Sequence, residues 1–288
     1  MLNFFGKKQF FKKSTPILLS MLLVLSLTAC SSTKTTQLKN VNLTLSTTTS
    51  LHDTGLYDYL SPILKQDTGI DLKVLSQGSG QAIQTAVDGN ADLIFVHSKA
   101  AEEKFVADGY GLKRIPVMYN YFVVVGPKND PAGLKGSGLT ASKAFAKVEQ
   151  SKAKFVSRGD ASGTNTKELA LWTAAGIKPA GDWYANAGKG MGAVLTMASE
   201  MKAYTLTDKA TYLTMKDKLD LDIVIDATPD LLNQYTIIQI DPKKHSTVNT
   251  EASDAFVKWI TSDKVLKLIG EYGKDKYGEP LFIVNYGK

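Results

Sequence analysis

The sequence predicts an α/β protein in two lobes, with mainly parallel sheets joined by two crossover strands. Three observations carry this expectation. Short apolar strands alternate with amphipathic helices along most of the chain, which places parallel strands under covering helices. The alternation runs in two series separated by a long apolar stretch. From Val41 to Lys288 there are 248 residues, enough for one large domain or two lobes.

The first thirty residues belong to neither lobe. Lys7, Lys8, Lys12 and Lys13 form a positive block with no acid near it, and an apolar run from Ile17 to Leu27 follows. That order reads as a secretory signal, because the run is shorter than the roughly 20 apolar residues of a membrane span. It ends at Leu27-Thr28-Ala29-Cys30, which resembles the bacterial lipobox, whose Cys is acylated and becomes the new N-terminus. Cys30 is the only cysteine, so no disulfide forms within the chain. Residues 1–29 are therefore expected to be a signal peptide. Residues 30–40, polar and without hydrophobic period, are expected to be a lipid-anchored flexible tether.

Val41 to Leu45 alternates like a strand, and Leu56, Tyr59, Leu60, Ile63 and Leu64 share a helical face that Pro62 should kink or shorten. Leu72–Leu75 and Leu93–Val96 read as strands. Ala82 to Val87 and Lys99 to Ala107 read as helices stopped by Gly89 and Gly109. Tyr119 to Val125 is a long apolar strand stopped by Gly126-Pro127, with a helix expected from about Thr140 to Gln150. Phe155-Val156-Ser157 opens the second series. Its helices are marked by Leu169, Trp172 and Ala175, and by Val194, Met197, Ala198 and Met201. Leu221–Ile225 and Tyr235–Ile240 look like strands, and the last helical register breaks near Ser262-Asp263. The expected lobes are 41–125 with 236–288, and 126–235.

Composition removes several function classes. Residues 1–29 hold four Lys and no acid, so the remainder has 30 basic and 28 acidic residues, a net of +2 against +6 for the whole chain. No basic cluster with interleaved aromatics stands elsewhere, which argues against a nucleic-acid partner. The three histidines, His52, His97 and His245, lack metal-ligand spacing, so no metal cation and no cofactor are expected. His52 follows Ser50 closely, but no nucleophile elbow surrounds the pair, so a Ser-dependent hydrolase is the weaker reading.

Three segments share one design, in which a strand ends, small hydroxyl or Gly residues follow, and a helix begins. They are Ser46-Thr47-Thr48-Thr49-Ser50, Ser76-Gln77-Gly78-Ser79-Gly80, and Ser157-Arg158-Gly159-Asp160-Ala161-Ser162-Gly163-Thr164. Free N–H groups at helix N-termini attract anions, while Ser and Thr add O–H donors and Gly lets backbone approach. Each hydroxyl alone has an ordinary use as a helix cap. Three such junctions at the carboxyl ends of strands point to a ligand cleft. Only Arg114 and Arg158 are Arg among 34 basic residues, and Arg158 puts a planar donor fork inside the third junction. Arg114 reads as a surface or strand-entry residue. Asp160 either orients Arg158, the preferred reading, or accepts the proton of a hydrogen phosphate.

These motifs resemble the tungstate-binding lipoproteins of ABC transporters, of the type II periplasmic-binding-protein family. The resemblance rests on Thr47-Thr48-Thr49-Ser50, Gly78-Ser79-Gly80, Arg158-Gly159-Asp160 with Ser162-Gly163-Thr164, Tyr119-Asn120 before Phe122–Pro127, Gly188–Gly192 and Ala203–Asp208. It implies a two-lobed periplasmic-binding-protein-like fold that closes on its anion by hinge motion. It also implies an oxyanion site at Thr48, Thr49, Ser50, Ser79, Arg158, Ser162, Gly163 and Thr164, with no catalysis. The implied ligand is a tetrahedral oxyanion, tungstate foremost, with phosphate or molybdate as alternatives. The implied partners are an ABC permease and its ATPase. A monomer tied through Cys30 to the outer face of the cytoplasmic membrane is expected. The sequence departs from the family pattern at Tyr121, Ala161, Asn165 and Leu232-Asn233-Gln234-Tyr235.

Overall fold

The computed structural model describes Leu38 and residues 40–288. The signal segment, Cys30 and most of the expected tether lie outside the described residues. Leu38, near the tether's end, donates its amide to the Thr68 carbonyl at 2.7 Å and packs on the main core.

The first series runs β1 (Val41–Thr48), α1 (Thr49–His52), α2 (Leu56–Thr68), β2 (Ile70–Gln77), α3 (Ser79–Val87), β3 (Leu93–Val96), α4 (Lys99–Ala107) and β4 (Gly111–Pro127). The second is α5 (Ala141–Gln150), β5 (Phe155–Ser157), α6 (Gly163–Ala174), β6 (Tyr184–Asn186), α7 (Met191–Met201), β7 (Thr205–Asp208), α8 (Lys209–Met215) and β8 (Leu221–Ile225). β9 (Leu232–Ile240), α9 (Thr250–Ile260), α10 (Asp263–Glu271), α11 (Lys274–Tyr277) and β10 (Ile283–Val284) complete the chain.

The main sheet has the order β2-β1-β3-β9-β4-β10. β1 is parallel to β2 and β3, as connections through a helix require, and β5 is parallel to β6 in a separate pair. The sheet is nevertheless mixed. Every antiparallel pairing among the described residues involves β4 or β9, the two long strands that carry the chain across and back.

β4 is longer than its apolar run. It starts at Gly111 and passes through Pro116, which lacks the ladder N–H, and the register slips between Pro116 and Met118. Its partner changes at Tyr121 and Phe122, from Leu232 on β9 to Asp208 on β7. The change therefore falls a few residues before the expected crossing near Val125. β9 likewise begins at Leu232, ahead of the expected Tyr235. Pattern alone hides this, because Phe122 to Val125 are buried whichever strand they pair with.

α2 runs through Pro62 without stopping. The carbonyl that Pro62 leaves without a helical donor belongs to Asp58, which is exposed and therefore open to water. α5 shows the simpler case, with Ala141, Ala144, Phe145 and Val148 buried at helical spacing behind the extended N-cap Thr140.

The largest apolar cluster joins Leu45, Phe95, Tyr235 and Phe256 to Val156, Leu195 and Leu213, so residues of both series share one core. A second cluster gathers Phe145, Phe155, Trp172 and Tyr204, with the Phe145 and Trp172 rings 4.3 Å apart. Tyr204 is held at its hydroxyl, which donates to Asp130 Oδ1 at 2.6 Å and accepts from the Ala132 amide at 2.9 Å. Its ring lies against Gly126, where a Cβ would stand 2.4 Å from two ring carbons. Gly126→Ala is therefore expected to lower stability by about 1–3 kcal/mol through overpacking, read from the midpoint of denaturant unfolding.

Candidate functional site

The three junctions do meet in space. At the first, Thr48 is the extended N-cap of α1, and its hydroxyl accepts from the Leu51 amide at 3.3 Å. Thr49 accepts a hydrogen bond from Arg158 Nη2 at 2.8 Å, across 109 residues of sequence. The buried Ser50 hydroxyl lies 3.3 Å from Thr48 Oγ1 and 3.2 Å from His97 Nε2.

At the second junction Gly78 caps α3 without a side chain, which leaves the first amides of that helix uncapped by any side chain. Ser79 Oγ accepts from the Gly163 amide at 3.1 Å and so ties the second junction to the third. Gly163 fits there because it lacks a Cβ. One added at this position would stand 2.9 Å from His97 Cε1 and Nδ1 and 3.0 Å from the His97 carbonyl.

At the third junction Ser162 is the N-cap of α6 and accepts from the Asn165 amide at 3.2 Å. The bland capping role thus holds for the Thr48 and Ser162 side chains. Thr164 differs: its hydroxyl is buried and has no hydrogen-bond partner among the described residues. A polar group left this way costs free energy unless a ligand serves it.

Arg158 is buried at 2% exposure. Its Nε donates to Asp160 Oδ2 at 2.9 Å, and Asp160 Oδ1 accepts the Ser162 amide at 3.1 Å. Both carboxylate oxygens are thereby engaged, which fits orientation of Arg158. Nε and Nη2 account for two of the five guanidinium N–H donors, and the Nη1 side makes no hydrogen bond among the described residues.

The loop around Arg158 is fixed from beneath by Glu168, which accepts from Ser157 Oγ at 2.8 Å, Tyr184 OH at 2.6 Å and Trp172 Nε1 at 3.1 Å. Two of the departures from the family pattern act together here. Ala161 adopts a left-handed backbone (φ +55°), and its amide donates to Asn165 Oδ1 at 3.3 Å. Asn165 Nδ2 in turn donates to Ser157 Oγ at 3.3 Å.

Three contributors stand outside the expected site residues. His97, at the end of β3, is the histidine that meets Ser50, whereas His52 is exposed. Gly190, the N-cap of α7, would place a Cβ 3.9 Å from Thr49 Oγ1, so the helix expected through Val194 to Met201 starts beside the site. Asp208 is fully buried at the end of β7, and Thr211 Oγ1 bridges it to the Ser50 carbonyl. Their signals were a histidine after a buried strand, a Gly before a helix, and an Asp in N-cap position. Arg114 lies near the entry of β4, one of its two expected places, and is part-buried by its pairing with buried Glu102, through Nε at 2.9 Å and Nη2 at 2.7 Å. A cavity of about 290 Å³ shares His97 and Gly163 with the site and is also lined by Phe122, Lys167 and Asn233, but not by Thr49 or Arg158.

The electrostatics are uneven. Burial and the nearby Arg158 charge push the His97 imidazole down to about 3, against the opposite pull of Asn233. Burial raises the carboxyls of Glu168 and Asp208, while their hydrogen bonds oppose that rise. No group of three His, Cys, Asp or Glu residues able to hold a metal ion occurs among the described residues. A donor-rich pocket around one guanidinium suits an anion that carries no proton.

Comparison with known proteins agrees with this chemistry. Residues 31–264 match the PBP superfamily domain. The chain is 52% identical to the tungstate-binding protein TupA of Peptoclostridium acidaminophilum over 276 residues, covering 93% of this chain and 96% of that protein. The crystal structure of the tungstate ABC transporter from Geobacter sulfurreducens is 44% identical, with a TM-score of 0.75 over 82% of this chain and all of that one. The tungstate-binding protein TupA from Desulfovibrio alaskensis G20 is 37% identical, with a TM-score of 0.72 over 85% of this chain and 99% of that one.

His97 should stay neutral between pH 5 and 8, with its ring signals in NMR spectra unmoved. Because its ordinary value is 6.5 and the folded value about 3, its contribution to stability is present above 6.5 and is lost as pH falls toward 3. A ring titrating near 6.5 in the folded protein would contradict the burial argument.

Proposed function

The chain belongs to the PBP superfamily and, within it, to the tungstate-binding proteins, and from that membership we propose that it captures tungstate and delivers it to an ABC transporter. The single observation that carries the proposal is the buried, unpartnered Thr164 hydroxyl at the same strand-to-helix junction that holds buried Arg158. Around them, Ser79 and Gly163 hold the second and third junctions together, and Thr49 receives Arg158 from the first. In the bound state Thr49, Ser50, Ser79 and Thr164 donate hydroxyls, Gly163 keeps its amide on Ser79 Oγ and gives the close approach that a Cβ would block, and Thr48 and Ser162 shape the helix starts. Tungstate, molybdate and sulfate are fully ionised near neutrality and need only donors. Hydrogen phosphate also needs an acceptor, and Asp160 is already committed to Arg158 and the Ser162 amide, so the preference for tungstate rests on the family.

Catalysis is the weaker reading on this geometry. Ser50 has a histidine neighbour, but an imidazole pushed down to about 3 is a poor general base near neutral pH. Binding therefore serves transport, without a cofactor. The lobes proposed are 41–125 with 236–288, and 126–235, moving about β4 and β9, where β4 exchanges partners at Tyr121 and Phe122. Residues 1–29 direct secretion and an acylated Cys30 ties the protein, as a monomer, to the outer face of the cytoplasmic membrane. No helix among the described residues is long and apolar enough to cross a membrane. A permease and its ATPase are the partners that such a capture protein requires.

Calorimetric titration with tungstate, molybdate, sulfate and phosphate tests the reading. Tungstate is expected to bind most tightly, and Arg158→Gln to weaken it by about 100-fold, equivalent to ~3 kcal/mol, with the unfolding transition retained. Tight phosphate binding with no response to tungstate would overturn the choice of ligand.

A further inference from the structure

Asp208 is fully buried and touches the site through one residue. Its Oδ1 accepts from the Thr211 amide at 2.9 Å, with Asn120 Nδ2 at 3.5 Å, and its Oδ2 lies 2.6 Å from Thr211 Oγ1. The same Thr211 Oγ1 lies 3.4 Å from the Ser50 carbonyl. Thr211 has a single hydroxyl hydrogen and two acceptors competing for it. With Asp208 ionised, the hydrogen goes to Oδ2 and Thr211 gives nothing to Ser50. With a proton on Oδ2, Asp208 donates to Thr211 Oγ1, and Thr211 turns its hydrogen to the Ser50 carbonyl. Both arrangements keep the heavy atoms in place.

Charge decides between them. The Arg158 cation is already matched by Asp160. Asp208 and Glu168 add two further buried carboxyls near it. The charged group acting on Asp208 is Arg158, and Tyr235 on β9 is a titratable neighbour that feels Asp208 in return. Asn120 from β4, Thr211 from α8 and the Ser50 backbone from α1 are neutral. His97, bonded to Ser50, is neutral as well. Lys209, next in sequence, is turned away to Asp226 and Glu279. Burial disfavours the Asp208 carboxylate, while the Thr211 hydrogen bonds and, after them, the Arg158 charge favour it. A dianion seated on Arg158 offsets that charge and adds repulsion within a buried site.

We infer that anion capture at this site takes up one proton from solvent and that Asp208 is the residue that receives it. The inference rests on the oxyanion reading above. It makes affinity fall with rising pH, by at most about tenfold per pH unit between the free and loaded titrations of Asp208. The direction follows because burial already raises this carboxyl, and the anion removes the opposing pull of Arg158.

The test is calorimetric titration of the protein with sodium tungstate, at one pH near neutrality, in buffers of different ionisation enthalpy. The wild type is expected to take up close to one proton per tungstate. Asp208→Asn, which keeps the cap acceptor and presents an amide to Thr211, should take up none, and its affinity should be flat with pH. Tungstate binding with no proton uptake by the wild type overturns the inference while leaving the oxyanion reading intact. Uptake that persists in Asp208→Asn but disappears in Glu168→Gln also overturns it, by moving the proton to Glu168. Failure of the wild type to bind tungstate defeats the oxyanion reading itself. If Asp208→Asn does not fold, the pH dependence of wild-type affinity decides, and a flat profile counts against Asp208.

Discussion

The site depends on keeping one guanidinium dry. Arg158 is almost wholly buried, and an unpaired charge there would not persist. Asp160, two residues on, neutralises it and is itself held by the Ser162 amide at the start of α6. That arrangement turns the fork toward Thr49, and the Nη1 side is the part proposed to meet the ligand. Glu168 and Asn165 fasten the loop through Ser157 and Ala161. The aromatic cluster of Phe155, Trp172 and Tyr184 then fixes Glu168. The binding geometry is thus set by packing several residues away from the ligand.

The two long strands supply the other requirement, which is to bring distant parts of the chain together. β4 pairs with β9 in its first part and with β7 and β8 in its second. Where it changes partners, Asn233 Nδ2 donates to Asn120 Oδ1 at 2.8 Å, and Asn120 reaches on to Asp208. A buried polar seam thus runs from the exchange point to the back of the site. Residues of that seam couple strand geometry to the charge beside Ser50.

Much of this was legible in the sequence, for local reasons. The limits of β3, α4 and β8 coincide with the apolar patterns that mark them, and the expected break at Ser262-Asp263 is the N-cap of α10. Arg158 could be singled out because Lys is used almost everywhere else. The full reach of β4 was hidden by Lys113, Arg114 and Pro116, which break the apolar pattern. His97 and Asp208 were hidden for another reason: each meets Ser50, His97 across 47 residues and Asp208 through Thr211, which lies 161 residues from Ser50, on elements whose contact the pattern does not show. Thr48 and Ser162 look like Thr49 and Thr164 in sequence, and only the hydrogen bonds separate caps from free donors.

Anomalous scattering at a tungsten absorption edge, from crystals grown with tungstate, locates the ligand without assuming the site. The account predicts one strong peak within hydrogen-bonding reach, through the oxyanion oxygens, of the Arg158 guanidinium, the Thr164 hydroxyl and the Ser79–Gly163 junction. A peak elsewhere on the protein, or no ordered tungsten where tungstate binds in solution, would contradict it.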